Sequence, residues 1–570
     1  MDEFTIPNAF QGLGDYQDGF RPRSKRELAI VAMEGLIREK QGWKCKALDE
    51  TIAQKWKEEL SEQSDKRLVE YAVKEIQWQA REYASSLVDP AAIEGTYCVN
   101  DIVLPDDIER DFKDGIRRLE DVPESKIDYH PGSNNQVIDL VHPSLYCLVY
   151  GKTRHTRDAH AITSWTKMDQ SVMLVPPENN EPYESVNFQW LPAELQVSED
   201  GKSVQFKSYI NNLHPHVFGN LYKSLEYILG TCMVPLFEKV LTDMVNDVDH
   251  RIEVFPYEWY EKGSDGQPEP GPAEEGATTE APAPVGEADA QDVEEPVEEA
   301  EGDQEEWVDD DNDDDDDEED EWENRVVKQP KIPEFKPPAG PKHVVRLNGK
   351  RLQVIVKLAN IVLTPEKPTY NGGSWHVEGM MNERIVATGI LYYDIDNIKD
   401  SRLQFRRPVG EPDYEQSDDR GVHAVYGLED ESILVENMGS VDTNTPNRAI
   451  AFPNLYQHRV QPFELLDKTK PGIRKILVFF LVNPQEKIIS TATVPPQQAE
   501  WYRNFDMVKP YHPLSRLPDL ALDGIIKWMA KGADSDTLMT MEQAKEYRRQ
   551  LIEERSGKML EANEELYERF

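Results

Sequence analysis

The spacing of apolar residues changes character along the chain. Between residues 24 and 85 it is helical. Ser24 and Glu27 stand three apart, as in a capping box, ahead of Leu28, Ile30, Val31 and Met33. Asp49–Leu68 and Val69–Leu87 continue with amphipathic periods. From 88 to 255 the pattern is mixed. Val137–Val141, Phe188–Pro192, Ser203–Phe206 and Ser208–Ile210 read as strands, with Glu199-Asp200-Gly201 as a hairpin turn, and Leu221–Val248 reads as one long helix. Between 344 and 485 short apolar runs recur without an interposed helical period. They are Leu352–Leu363, Ile385–Tyr393, Val422–Tyr426, Arg448–Phe452, His458–Phe463 and Lys475–Val482. Such a series predicts a sandwich or jelly roll. From Leu514 to Phe570 the spacing is again helical, in a charged, coiled-coil-like composition. It stops in mid-register at Glu568-Arg569-Phe570, so a truncated C-terminus is an expectation.

Composition separates these regions. Residues 262–343 are rich in Pro, Gly, Glu and Asp, a mixture that cannot bury enough apolar surface to order itself. Lys328–Lys342 holds five prolines and suits extended, polyproline-like chain. Between Glu287 and Glu323 there are 24 acidic residues and no basic one. Setting them aside takes the net charge from −45 to −21. Nucleic-acid phosphates are poor partners at either value. The run reads first as a solvated linker, and second as a dock for a basic protein. The expected organisation is an N-terminal helical region (1–87), a mixed region packing on the core (88–261), a disordered acidic insertion (262–343), a jelly-roll core (344–500) and a C-terminal helical region (501–570). The fold class is α+β around a double-stranded β-helix. No apolar run approaches the roughly 18 residues of a membrane span, and the first residues lack the pattern of a signal peptide. Cys45, Cys98, Cys147 and Cys232 are far apart. They suggest a reducing compartment, cytoplasmic or nuclear.

The chemistry concentrates at Gly372-Gly-Ser-Trp-His-Val-Glu-Gly-Met380. If this stretch is a strand, His376 and Glu378 project from one side. Two imidazoles and one carboxylate form a facial triad that leaves positions open on iron(II). His458, 82 residues after His376, is the candidate third ligand. Arg474, 16 residues further on, opens a strand and could grip a dicarboxylate through its planar fork.

This set, His376-x-Glu378, His458 and Arg474, resembles the iron(II)/2-oxoglutarate dioxygenase superfamily. The position of the arginine is similar to that in its taurine-dioxygenase and clavaminate-synthase-like branches. Glu378 stands where most members carry Asp. The resemblance implies that His376, Glu378 and His458 hold Fe(II) and that Arg474 binds the distal carboxylate of 2-oxoglutarate. It also implies oxygen-dependent conversion of that cosubstrate to succinate, with hydroxylation of a C–H bond in an unidentified substrate. Over nearly its full length the chain resembles a largely fungal family, domain of unknown function 4246. The matching stretches are Ser208-Tyr-Ile-Asn-Asn-Leu-His-Pro215, 372–380 and Val494-Pro-Pro-Gln-Gln498.

Other readings compete. The jelly roll could be a non-catalytic scaffold binding basic proteins through the acidic run, or a metal-cupin hydrolase or isomerase. His458 could be a surface histidine. Arg474 could pair with Asp467 or Glu464, and Glu378 with Arg384. Tyr370 and Trp375 could line a pocket or fill a core. Asn211, Asn212, His214 and His216 read as a hydrogen-bonded turn before they read as ligands. His142, His155 and His160 read as loop histidines. Dinucleotide, phosphate-loop, serine-hydrolase and HExxH motifs are absent from the sequence.

Overall fold

The computed structural model of the chain describes residues 4–10, 20–155, 172–177, 183–246, 250–260, 326–429, 434–503, 518 and 538–566. The acidic run 287–323, His160 and most of the stretch from Leu514 to residue 537 lie outside the described residues. The chain divides into two compact units. One comprises Met1–Ile252, Ile332–Pro412 and Leu428–Phe570; the other comprises Glu253–Lys331 and Asp413–Gly427.

In the larger unit, the helix Lys25–Arg38 starts at Ser24, whose Oγ accepts the Glu27 N–H at 3.3 Å. The expected box is only half closed. The Glu27 carboxylate turns away and accepts the Arg251 N–H at 3.1 Å. Helices Lys25–Arg38, Glu50–Leu60 and Lys66–Glu82 share one apolar core around Ile30, Trp56 and Ile76. Residues 332–343 form neither helix nor strand. They are nonetheless held, because Ile332 and Phe335 pack on those helices, with the Phe335 ring edge-on to Tyr71 at 5.4 Å. The prolines keep the segment extended and the two apolar side chains anchor it, so its last part departs from the expected disorder.

Eleven strands organise the rest. They are β1 (Tyr97–Val99), β2 (Val137–Val141), β3 (Ala193–Val197), β4 (Val204–Phe206), β5 (Arg351–Leu363), β6 (Ile385–Asp396), β7 (Arg402–Pro408), β8 (Val435–Asp442), β9 (Arg448–Pro453), β10 (Gln457–Val460) and β11 (Gly472–Val482). All pairings among them are antiparallel. A nine-stranded sheet runs from Asp89–Pro90 through β1, β9, β6, β11, β5 and β3 to β4, with β2 also on β5. A three-stranded sheet runs β8, β7, β10. A second small sheet joins Thr369–Tyr370, Phe463–Leu465 and Ile398–Lys399.

Alternation sorts the two faces of the large sheet. Leu352, Val354, Val356 and Leu358 of β5 join Leu477, Phe479 and Leu481 of β11 under the helices Gly219–Ile228 and Val234–Met244. Ile355 of β5, Ile390 and Tyr392 of β6, Phe452 of β9, and Val478 and Phe480 of β11 face the other way, against Leu403 and Phe405 of β7. This second face carries the candidate site. Because both faces are buried, β5 reads as a nearly continuous apolar run rather than a clean alternation.

Leu221–Val248 contains two helices joined by a π turn at Leu229–Met233. Pro235, in the first turn of the second helix, has no N–H to continue the ladder, and the wider turn absorbs the break. The hairpin turn is present, with Gly201 at φ +72° between β3 and β4. Ser208–Ile210 is not a strand. In the smaller unit, Val422–Tyr426 is part of the helix Asp419–Tyr426, not a strand. Asp418 caps it by accepting the Gly421 N–H at 2.9 Å, and Gly427 ends it at φ +78°. Five residues were too few to fix the period. No described helix is long and apolar enough to cross a membrane.

Candidate metal centre

His376 and His458 meet through the backbone. Each donates its N–H to the other's carbonyl, at 3.2 and 3.0 Å, as an isolated antiparallel bridge. The stretch 372–380 is therefore not the regular strand that the sequence suggested; it touches β10 at one rung. Gly372, at φ +91°, lets the chain close on β10, where a Cβ would lie 2.8 Å from the Val460 carbonyl oxygen.

The geometry still gathers the three side chains. Glu378 Oε1 lies 3.7 Å from His376 Nε2 and 3.5 Å from His458 Nε2, and the two imidazole centroids are 4.5 Å apart. One ligand atom from each residue lies within 4.8 Å of the others. His458 is buried and packs its ring on Phe452 at 4.8 Å. It is not a surface histidine. Arg384 is engaged with Glu486 at 3.3 Å, which leaves Glu378 to the imidazoles.

The protonation tendencies of the three groups differ. His376 Nδ1 lies 2.9 Å from the Ser374 carbonyl, which can only accept, so a neutral His376 carries its proton on Nδ1 and leaves the Nε2 lone pair free. Burial raises the proton affinity of Glu378, but the two imidazoles outweigh it and hold the carboxyl well below its usual range. Burial lowers the proton affinity of His376, and Glu378 more than offsets this. Burial and then His376 push His458 down, towards the neutral form a metal requires.

Asn454, which sequence reasoning passed over, fixes Glu378 by its backbone. Its Oδ1 accepts the Glu378 N–H at 2.8 Å, and its Nδ2 donates to the Glu378 carbonyl at 2.9 Å and to the Ile385 carbonyl at 3.1 Å.

Arg474 lies on the same sheet face, opposite Ile361 of β5 and Ile395 of β6. It is 1% exposed. Its guanidinium stands over the Tyr392 ring at 4.8 Å and the Phe463 ring at 5.8 Å. Among the described residues its hydrogen bond is weak, Nη2 to Thr443 Oγ1 at 3.5 Å. Among the described residues Nε and Nη1 have no hydrogen-bond partner, and the Tyr392 hydroxyl has none beyond its interaction with the guanidinium itself. The acids expected as alternative partners are engaged elsewhere, Asp467 with Lys470 and Glu464 with Lys468 and Lys399. A buried guanidinium without a carboxylate is costly. No described residue supplies one here. Thr443 and Tyr392 face the guanidinium, and no local signal marks them in sequence.

The flanking aromatics separate. Tyr370 pairs with Phe463 at 5.1 Å and is close enough to Arg474 to feel its charge. Trp375 is clamped between Arg406 and Arg459, at 4.6 and 4.5 Å. Arg459 follows His458 on β10, so this clamp occupies the opposite face of the small sheet from the ligands. Trp375 does not line the site.

A second cluster was not foreseen. His130, Asp139 and His142 also bring ligand atoms within 4.8 Å. It suits a cation less well. His142 Nδ1 accepts the Ser144 N–H at 3.2 Å, so a neutral His142 carries its proton on Nε2. Asp139 already meets His130 at 2.9 Å and Arg548 at 3.3 Å. His214 is used locally: its Nδ1 accepts the His216 and Val217 N–H groups at 3.2 and 3.4 Å. Asn211 donates to the Leu145 and Tyr146 carbonyls. That knot is a hydrogen-bonded turn, as read.

Several solved structures show distant likeness. IDO from Bacillus thuringiensis is 11% identical, over 24% of this chain and 48% of that one, with a TM-score of 0.16. A bsmA homolog from Methylobium petroleophilum PM1 is 12% identical over 24% and 43%, with a TM-score of 0.15. The Fe(II)/α-ketoglutarate-dependent dioxygenase TqaL is 10% identical over 68% and 96%, with a TM-score of 0.21. The chain thus spans less than half of the first two. Superpositions this poor assign neither fold nor activity. No curated protein matches the chain. Two family models do match. The N-terminal domain of DUF4246 matches residues 5–59, and the protein of unknown function DUF4246 matches residues 66–505. The chain is a member of the DUF4246 family.

Proposed function

We propose that this protein is an iron(II)- and 2-oxoglutarate-dependent oxygenase built on a double-stranded β-helix. The observation that carries the reading is Arg474: a buried guanidinium with two unpartnered nitrogens, on the sheet face that also packs the converged triad. A metal alone would need only His376, Glu378 and His458. The prepared anion site asks for a ligand that also carries a carboxylate. The facing β7–β10 and β5–β11 layers support the β-helix reading.

The donor set of two neutral imidazoles and one carboxylate suits iron(II) with open positions. When bound, iron(II) and 2-oxoglutarate would let dioxygen act as the oxidant, one oxygen atom entering a C–H bond of the substrate and the other entering succinate as 2-oxoglutarate loses carbon dioxide. The chain's own work is positional. Ser374 sets the tautomer of His376, Asn454 fixes the reach of Glu378, and Phe452 orients His458. Arg474, with Thr443 and Tyr392, would hold the far carboxylate of the cosubstrate.

The test is anaerobic titration of the iron(II)-loaded full chain with 2-oxoglutarate. A visible charge-transfer band from the chelated 2-oxo acid is expected, absent from His376→Ala, with succinate released on admitting oxygen. A wild-type chain that shows neither band nor succinate overturns the reading.

A further inference from the structure

Lys357 is the one charged residue within Leu352–Leu363. It pairs across the sheet with Val478, and its neighbours Val356 and Leu358 point to the helices. The lysine therefore projects from the other face, with Ile355, Ile361 and, across β11, Arg474. It is half-buried and makes no ion pair or hydrogen bond to any described residue. It is close enough to both clusters to lower the proton affinity of His376 and His142 and to feel Asp139.

Charge accounting shows why this matters. Asp128 and Asp139 are matched by Lys545 and Arg548, with contacts of 2.7 to 3.3 Å. Glu378 belongs to the two imidazoles. Arg474 would take the far carboxylate of the cosubstrate, and the metal its near end. Asp139 also feels Lys357, but Arg548 already holds that carboxylate, so among these described groups one cation is in excess. A half-buried ammonium that contacts no carboxylate among the described residues loses solvation and gains little back until an anion arrives.

We propose that Lys357 binds an anionic group of the substrate, so that the oxygenase acts on a carboxylic or phosphoric acid rather than on a neutral molecule. This rests on the oxygenase reading above. The ammonium fixes one end of the substrate beside the triad and leaves its carbon chain to face the metal. Lysine suits this role as a compact point charge on a flexible stem, without the planar preference of Arg474.

The experiment uses the full chain loaded with manganese(II) and 2-oxoglutarate, which binds without turning over. A panel of small carboxylic acids and phosphate monoesters, each paired with its neutral amide or alcohol, is titrated by calorimetry. Acids are expected to bind and their neutral partners to fail. Lys357→Met should weaken acid binding at least tenfold, Lys357→Arg should retain most of it, and 2-oxoglutarate affinity should be the same in all three. Equal binding of acids and neutral partners, unchanged acid binding in Lys357→Met, or a panel in which no acid binds overturns the proposal. Absence of 2-oxoglutarate binding in the wild type is a different failure, that of the oxygenase reading, and is scored separately in the same titrations.

Discussion

Replacing Arg474 by methionine should stabilise the ligand-free protein and abolish its response to 2-oxoglutarate. The guanidinium is 1% exposed, with no carboxylate partner and two unpartnered nitrogens. Each unmet buried donor costs about 1–3 kcal/mol. The Tyr392 and Phe463 rings return part of this through cation–π attraction, about 1–2 kcal/mol together. Methionine has similar length, buries no polar group and keeps contact with both rings. A net gain of about 1–3 kcal/mol is expected for Arg474→Met without ligand. With 2-oxoglutarate at a hundred times its dissociation constant, the wild type should gain about 2.7 kcal/mol by mass action. The variant should gain almost nothing. The difference between the two proteins should therefore shift by about 2.7 kcal/mol in favour of the wild type when the cosubstrate is added. Urea unfolding with manganese(II), in the presence and absence of 2-oxoglutarate, measures both arms. A variant less stable than wild type by about 2 kcal/mol without ligand would show that Arg474 supports the fold, and the reasoning would fail.

Two further outcomes follow from buried polar groups. Asn454→Ala removes three hydrogen bonds around Glu378 and Ile385. It should cost about 2–3 kcal/mol in urea unfolding and weaken manganese(II) binding about 10–100-fold; unchanged metal affinity would detach Asn454 from the site. Asp243, which accepts the Tyr97 hydroxyl at 2.7 Å, is pushed up to about 6 by burial. Its folded-state pKa thus lies above the unfolded one, so stability falls as pH rises from about 4 to 6, by roughly 2 kcal/mol. Asp243→Asn should flatten that window and leave the protein no less stable at pH 7. A wild-type stability curve already flat there would contradict the assignment.

The sequence carried the long strands well. β5, β6 and β11 are apolar runs of 11 to 13 residues, long enough for composition to fix their type. It failed where five or fewer residues had to decide, as at Val422–Tyr426, and where tertiary contact overrides local pattern, as at 372–380. There the ligand pair is held by one backbone rung rather than by a strand. The triad itself was readable because its residue types are rare together and their spacing is informative. Thr443, Tyr392 and Asn454 were not, since each is an ordinary residue made special by what lies across the sheet. Lys357 sits between these cases. A lone charge in an apolar strand is visible in sequence, but its face depends on register, which only the pairing with Val478 reveals.

The reciprocal bonds between His376 and His458 have an evolutionary consequence. They run between main-chain atoms, so they are indifferent to which side chains stand there. The imidazoles can be exchanged without loosening the rung that brings the positions together. If the centre holds a metal, a chain of this family could thus lose it by one substitution and keep its architecture, or regain it by reversing that substitution. Glu378 is placed in the same way, by the grip of Asn454 on its backbone. Activity and foldability are inherited separately here, and dead and living relatives would share one shape.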